Sequence, residues 1–326
     1  MPEKSDPDKS GERIAKVIAR AGLASRREAE AWIAAGRVSV NGSVISSPAL
    51  NVSPRDQIVV DGSPLPGRAR TRLFRYYKPR GLVTTHADPQ GRPTIFRALP
   101  KRLPRVISVG RLDINSEGLL LLTNDGGLAR MLELPATSWL RRYRVRALGR
   151  VTQEALDRLR GGVAVAGIHY GAIEATLDRE QGANIWLTVG IREGKNREVR
   201  KVLEHLGLKV NRLIRVSYGP LELGELDDGE VEEVPTEDLR AALGPKLAAQ
   251  AHADFDSPLE SETTAASPRH SGARPKGREP GIQKGRTQLS SLDSGPPLRG
   301  SRNDRKKHSR RDRRGGPRPK YPRPKE

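Results

Sequence analysis

Apolar residues Ile14, Val17, Ile18 and Ala21 recur at the three- and four-residue spacing of one helix face, and Gly22 supplies the stop at the end of that helix. Ser25-Arg26-Arg27-Glu28 has the form of a capping box, in which the hydroxyl takes a free backbone N–H and the glutamate reaches back to the cap. A second helix is therefore expected through Ala29, Trp32 and Ile33 to Gly36. From Val38 to Ile45 the period switches to two around Asn41-Gly42, a strong hairpin signal. Gln57-Ile58-Val59-Val60 predicts a further strand ending at Asp61-Gly62. Two short helices and a small β ribbon thus fill residues 11–62. The run Gly62-Ser63-Pro64-Leu65-Pro66-Gly67 reads as a linker, taken as residues 63–70.

Beyond it strands and helices intermix over residues 71–243. Segments 73–77, 106–109, 118–123, 142–148, 173–177 and 184–189 read as extended, and helices are expected near 127–132, 153–160 and 197–206. In the last of these Asn196 is the expected cap, and Val199, Val202, Leu203 and Leu206 form an apolar stripe ended by Gly207. The order does not alternate strand and helix. An α+β fold with a mixed or largely antiparallel sheet is therefore expected.

The composition adds partners to this picture. The chain has 326 residues, Lys+Arg 59 against Asp+Glu 39 and a formal net charge of +20. From Arg269 to Glu326 there are 19 Lys/Arg and 5 Asp/Glu, so 19 − 5 = 14 of the surplus lies there. Only Ile282, Leu289, Leu292, Leu298 and Tyr321 are sizeable apolar side chains in that stretch, too few to offset the entropy of ordering it. Residues 244–326 are expected to be a disordered, strongly basic tail, and residues 1–10 a disordered N-terminus. A tail of one sign binds phosphates by releasing counterions; the blander reading is a solvated tail that adds solubility. Absence of cysteine excludes a disulfide scaffold, a cysteine-ligated metal and a thiol nucleophile. No run approaches the ~18 apolar residues of a membrane helix, and the N-terminus is charged where a signal peptide is apolar. A soluble cytoplasmic protein with a nucleic-acid partner is the expectation.

Charge placement in the first module fits that partner. Arg13, Lys16 and Arg20 are expected on one helix face, and Arg26 and Arg27 stand in the first turn of the second helix, where the macrodipole disfavours cations. A phosphate held there would explain the cost, and an ordinary solvated face is the alternative. ERIAKVIARAGLASRREAEAWIAAGRVSVNG resembles an S4 domain, a small RNA-binding module, over essentially its whole length. The resemblance implies docking on structured RNA and no chemistry.

In the second module the densest polar cluster lies between two apolar segments and carries Asp113, Asn115, Ser116 and Glu117. Three readings stand side by side. Asp113 caps backbone N–H groups of its own loop; Asp113, Glu117 and Asp125 bind a divalent cation; or Asp113 is a nucleophile or acid/base beside a cation. Asp125 itself reads as an Asn-Asp-Gly turn.

Gly110-Arg111-Leu112-Asp113 followed by Ser116-Glu117-Gly118-Leu119-Leu120-Leu121-Leu122-Thr123-Asn124-Asp125-Gly126 resembles the signature of the RsuA/RluB-type ribosomal RNA pseudouridine synthases. Tyr77-Lys78-Pro79-Arg80-Gly81, Arg142-Tyr143-Arg144-Val145 and the stretch from Glu193 to Lys201 follow in that family's order. The resemblance implies isomerisation of a uridine within RNA, with no cofactor and no metal. It implies Asp113 as catalytic nucleophile, Arg200 as its ion-pair partner and Tyr143 as the ring that stacks the flipped base. Arg13, Lys16, Arg20, Arg26, Arg27, Arg111, Lys195 and Arg197 are the expected RNA-binding cations. Asn-Arg-Glu-Val-Arg at 196–200 is similar to the RluB side of the family, which implies large-subunit rRNA, free or in an assembly intermediate, as partner of a monomeric enzyme. A small-subunit target and a non-catalytic ribosome-assembly factor are the alternatives.

Overall fold

The computed structural model describes residues 11–258. The expectations for 1–10 and for 259–326 lie outside it.

In the first module β1 (Glu12–Arg13) pairs with β4 (Asn51–Val52), and α1 (Ile14–Arg20) and α2 (Arg26–Ala34) pack beside a sheet. That sheet has the order β3-β2-β5-β6, from β2 (Val38–Val40), β3 (Ser43–Val44), β5 (Ile58–Val60) and β6 (Ser63–Pro64). The capping box is present: Glu28 N donates to Ser25 Oγ at 3.1 Å and Ser25 N to Glu28 Oε2 at 2.6 Å. Asn41 and Gly42 take φ of 51° and 83°, as a tight right-twisting hairpin requires. Ile14, Ile18, Ile33 and Val38 are fully buried and hold the layers together.

Two expectations change here. Arg13 is not on the helix face with Lys16 and Arg20; it lies in β1, because pairing with Asn51 keeps its backbone extended until Ile14. The linker does not start at 63 either. Pro64 stands opposite Val59 on a sheet edge, where its missing N–H costs nothing, and Leu65 packs on the core.

The second module is a nine-stranded sheet. Its main path is β13-β14-β10-β15-β9-β7-β17, with β16 on β15 and β8 on β9. The strands are β7 (Leu73–Lys78), β8 (Ile107–Ser108), β9 (Glu117–Thr123), β10 (Arg141–Leu148), β13 (Ile173–Gln181), β14 (Asn184–Ile191), β15 (Lys209–Tyr218), β16 (Leu221–Glu222) and β17 (Val231–Glu233). A hairpin of β11 (Val163–Val165) and β12 (Ile168–Tyr170) stands apart. All pairs are antiparallel except β15 with β9, so the mixed α+β expectation holds. The four leucines of β9 explain its place. Leu120 and Leu122 enter a core with α5 (Gln153–Asp157) and α6 (Glu198–His205), whereas Leu119 and Leu121 enter a second core with α4 (Gly126–Glu133) and α7 (Thr236–Ala251). A strand buried on both faces reads as a continuous apolar run. At about 1.5–3 kcal/mol per buried leucine, this run is a main source of the domain's stability.

The end of this domain is also corrected. Residues from 244 onward do not leave the fold at once: α7 bends at Gly244 (φ 64°) and Pro245, then runs on to Ala251. Ala251 and Phe255 are buried against the core that contains α4, and Thr71 N donates to Asp254 O at 2.6 Å. No helix among the described residues is long and apolar enough to cross a membrane.

Candidate active site

The parallel contact between β9 and β15 covers only Ile214 opposite Glu117 and Arg215 opposite Gly118. Gly118 permits it: its φ is 96°, and a Cβ there would lie 2.4 Å from Arg215 O. Just upstream of this contact, residues 110–116 form the loop that carries Asp113.

That loop is fixed through its backbone. The Leu112 carbonyl accepts from Thr84 Oγ1 at 2.8 Å, and Asp113 O accepts from Ser116 N at 2.9 Å. Ile114 O accepts from Gly81 N at 2.8 Å, Asn115 O from Arg200 Nη2 at 2.9 Å, and Ser116 O from Lys78 Nζ at 2.9 Å. Five consecutive carbonyls are thus held, four of them by residues of β7, of the chain after it and of α6. The Asp113 carboxylate itself is half-buried and makes no hydrogen bond or ion pair among the described residues. The capping reading of Asp113 therefore fails. The divalent-cation reading fails as well, because the other two carboxylates are engaged. Glu117 is held bidentately by Arg212 at 2.9 Å on each oxygen, and Asp125 caps α4 through Gly127 N at 2.7 Å while accepting from Thr71 Oγ1 at 2.8 Å.

Asp113 opens onto a cleft of about 650 Å³. Leu112, Tyr143 and Leu213 give the cleft an apolar wall, and Arg111, Arg197 and Arg215 are among its cations. Tyr143 is 7% exposed on β10, opposite Arg215 on β15 and Val189 on β14. Arg141 also lines the cleft, donating to the Arg192 carbonyl and to the Tyr218 hydroxyl, both at 2.8 Å.

Helix α6 begins one residue later than expected. Arg197, not Asn196, is the cap, held at φ 52° by a tight turn in which Glu198 N donates to Lys195 O and Lys195 N to Glu198 Oε2. Val199, Val202 and Leu203 point into the core as the stripe predicted. Arg200 is buried at 6% exposure and is not part of the cleft wall. The expected ion pair with Asp113 is absent: the guanidinium is taken by the Asn115 and Val210 carbonyls, at 2.9 and 3.2 Å, and acts on Asp113 by holding its loop and through its nearby charge.

The remaining sequence-predicted cations divide by their partners. Arg111, Lys195 and Arg197 meet Asp113 and Tyr143 around one cleft. Lys195 is anchored there by the His169 carbonyl at 2.7 Å and Glu193 at 2.6 Å. In the first module Lys16 and Arg20 both pair with Glu12 at 2.7 Å, while Arg13, Arg26 and Arg27 are exposed and form no salt bridge among the described residues.

Three contributors were given no chemical role by the sequence, although Lys78 and Glu198 stand within the motifs quoted above. Lys78 is fully buried; desolvation pulls its ammonium down to about 8, against the opposing pull of Asp113 and Glu117. Glu198 is 2% exposed on the cleft wall, its Oε1 lacks a partner among the described residues, and burial pushes its carboxyl up to about 6. Arg215, 3% exposed, donates from Nε to Leu119 O at 2.7 Å. Lys78 falls in the same period-two row as Phe74 and Tyr76, and this was the one available signal of its burial; nothing local marks Glu198 or Arg215 as buried.

Fold and site together define an RNA-modifying enzyme in which an S4-type module precedes a catalytic α+β domain with a carboxylate in a cationic cleft. The S4 domain family matches residues 12–58 and the RNA pseudouridylate synthase family residues 72–205. An RNA pseudouridine synthase of Rickettsia typhi is 46% identical over 235 residues, covering 72% of this chain and 96% of the relative. The ribosomal large subunit pseudouridine synthase B of Pseudomonas aeruginosa is 46% identical over 232 residues, 69% of this chain and 60% of that protein. The protein of the same name from Haemophilus influenzae is 41% identical over 242 residues, 72% of this chain and 68% of that protein. A crystal structure of a pseudouridylate synthase superposes with a TM-score of 0.52 at 25% identity, over 72% of this chain and all of that one. The chain belongs to the RNA pseudouridine synthase family.

Proposed function

We propose that this chain converts a specific uridine of large-subunit ribosomal RNA to pseudouridine in the cytoplasm, as a monomer, with Asp113 as the catalytic carboxylate. The observation that carries the reading is a carboxylate without a hydrogen bond or ion pair among the described residues, on a loop in which the five carbonyls of residues 112–116 are held, at the wall of a cationic cleft large enough for a nucleotide. The large-subunit target is supported by the relatives that bear that name.

In this reaction the N1–C1′ bond breaks, the uracil turns, and a C5–C1′ bond forms; C5 loses a proton and N1 gains one. Nothing is oxidised and no group enters. Asp113 either attacks C1′ or assists cleavage and then carries the C5 proton. Either role uses the carboxylate oxygens of Asp113, and the buried cations Lys78 and Arg200 lie near them. The target base has to leave its stack, at a cost of about a few kcal/mol, and the Tyr143 ring offers it a face beside Asp113.

Replacing Asp113 with Asn keeps size and shape and removes the charge. Pseudouridine formation should fall below detection while rRNA affinity stays within about twofold. Chemical mapping of pseudouridines across both rRNAs, with and without the gene, reads the outcome. Wild-type activity in Asp113→Asn rejects the role of Asp113, and a site lost from the small-subunit rRNA instead reassigns the target.

A further inference from the structure

The two sides of the catalytic sheet are not covered alike. Tyr143, Val145 and Ala147 of β10 face the core that holds α5 and α6, so Arg142, Arg144 and Arg146 face the other way. On that other side the α4–α7 core covers β9 and β7. Over β13, β14 and β10 the same side belongs to neither core and is formed by polar side chains and one indole. Arg146 stands opposite Trp186, and Trp186 opposite Arg179; in the next row Arg144, Thr188 and Thr176 are aligned.

Two guanidiniums approach the indole of Trp186, Arg144 at 5.2 Å and Arg179 at 5.7 Å from the ring centroid. Arg142, Arg146 and Arg179 form no salt bridge among the described residues. Of the nearby acids, Asp178 accepts from Thr188 on this same face, and Glu174 pairs with Arg192. Trp186 Nε1 and Arg146 Nε are buried cross-strand neighbours without a hydrogen-bond partner among the described residues. Alternate residues of a strand are about 6.8 Å apart, so the β10 arginines repel one another along a row. That spacing is comparable with the step between successive phosphates of a nucleic-acid strand. An anion running along the row relieves the repulsion.

We infer that this face is a second RNA-binding surface, separate from the cleft, that holds the phosphate backbone of the same substrate RNA. The inference rests on RNA being the substrate. It concerns affinity and placement, since phosphate contacts do not read sequence.

The test uses the full chain with Arg142→Gln/Arg179→Gln, two exposed positions outside the catalytic cleft, and Arg142→Lys/Arg179→Lys as the control. Binding to a protein-free large-subunit rRNA transcript is measured against salt, and pseudouridine formation at saturating RNA in parallel. The glutamine variant should lose about tenfold in affinity, and two lost phosphate contacts should flatten the slope of log affinity against log salt by about 1.4–1.8. The lysine control should keep the slope, and turnover should be unchanged in both. Unchanged affinity and slope overturn the inference. So does a defect seen only with ribosomal particles and not with bare RNA, which makes the face a protein-docking surface. Wild-type chain that binds the transcript but isomerises none of its uridines counts against the proposed function and leaves the slope comparison standing.

Discussion

At the scale of single residues, the site separates groups that hold from groups that react. Thr84, Gly81, Arg200 and Lys78 are engaged with loop carbonyls, and the Asp113 carboxylate has no hydrogen bond or ion pair among the described residues. Glu198 is the other unsatisfied acid of the cleft. Its carboxyl titrates at about 6 rather than the usual 4.5, because burial disfavours its charge. The folded state therefore holds this proton more tightly than the unfolded chain. The resulting stabilisation is complete below pH 4.5 and is lost as pH rises through about 6. At neutral pH the ionised group is a cost of up to about 2 kcal/mol. Glu198→Gln, which keeps an acceptor for Lys195 N, should raise the urea midpoint at pH 7 by a corresponding amount. Below pH 4.5 the gain should vanish. A midpoint that does not move at pH 7 means that Glu198 is not destabilised by its charge. The motif that contains Glu198 was legible in the sequence but its burial was not, since a glutamate at a helix start is ordinarily a solvated, dipole-favoured group.

At the scale of elements, apolar periodicity located most strands and all five expected helices but missed β15, the strand on which the site is hung. Its sequence KVNRLIRVSY mixes charged and apolar positions, because Arg215 is buried near the cleft and Arg212 is engaged with Glu117. Strand reading assumes that arginines face water; a functional strand breaks that assumption. The hinge of the arrangement is Gly118, where β9 and β15 meet. Gly118→Ala combines a left-handed φ of 96° with a Cβ 2.4 Å from Arg215 O, so backbone has to move. A destabilisation of roughly 3 kcal/mol or more is expected, together with loss of pseudouridine formation as the Asp113 loop shifts. Urea unfolding and activity are the two readouts, and a variant with wild-type values in both refutes the importance of this crossing.

At the scale of the molecule, charge is the organising variable. The first module offers exposed Arg13, Arg26 and Arg27, the cleft offers Arg111 and Arg197, and the surplus of 14 lies in residues 269–326, outside the described part. Deleting 269–326 should lower affinity for rRNA and flatten its salt dependence while the same uridine is modified, because counterion release supplies affinity without sequence information. An unchanged salt slope after deletion rules out a phosphate-binding role for this segment.

What the sequence determined by itself was local or compositional: the capping box at Ser25, the Asn41-Gly42 hairpin, the apolar strand after Asp113, the four ordered motifs and the excess of positive charge. Each depends on residues within a few positions of one another, or on a sum over the chain. The tertiary structure alone decided what comes from distant segments. It ended the first module past 62 by pairing Ser63–Pro64 with β5, carried the catalytic domain past 244 by seating Ala251 and Phe255 against the core, and put Arg200 on the Asn115 carbonyl instead of on Asp113. Those outcomes turn on which buried donor reaches which acceptor after the sheet has formed, and no spacing along the chain encodes that distance.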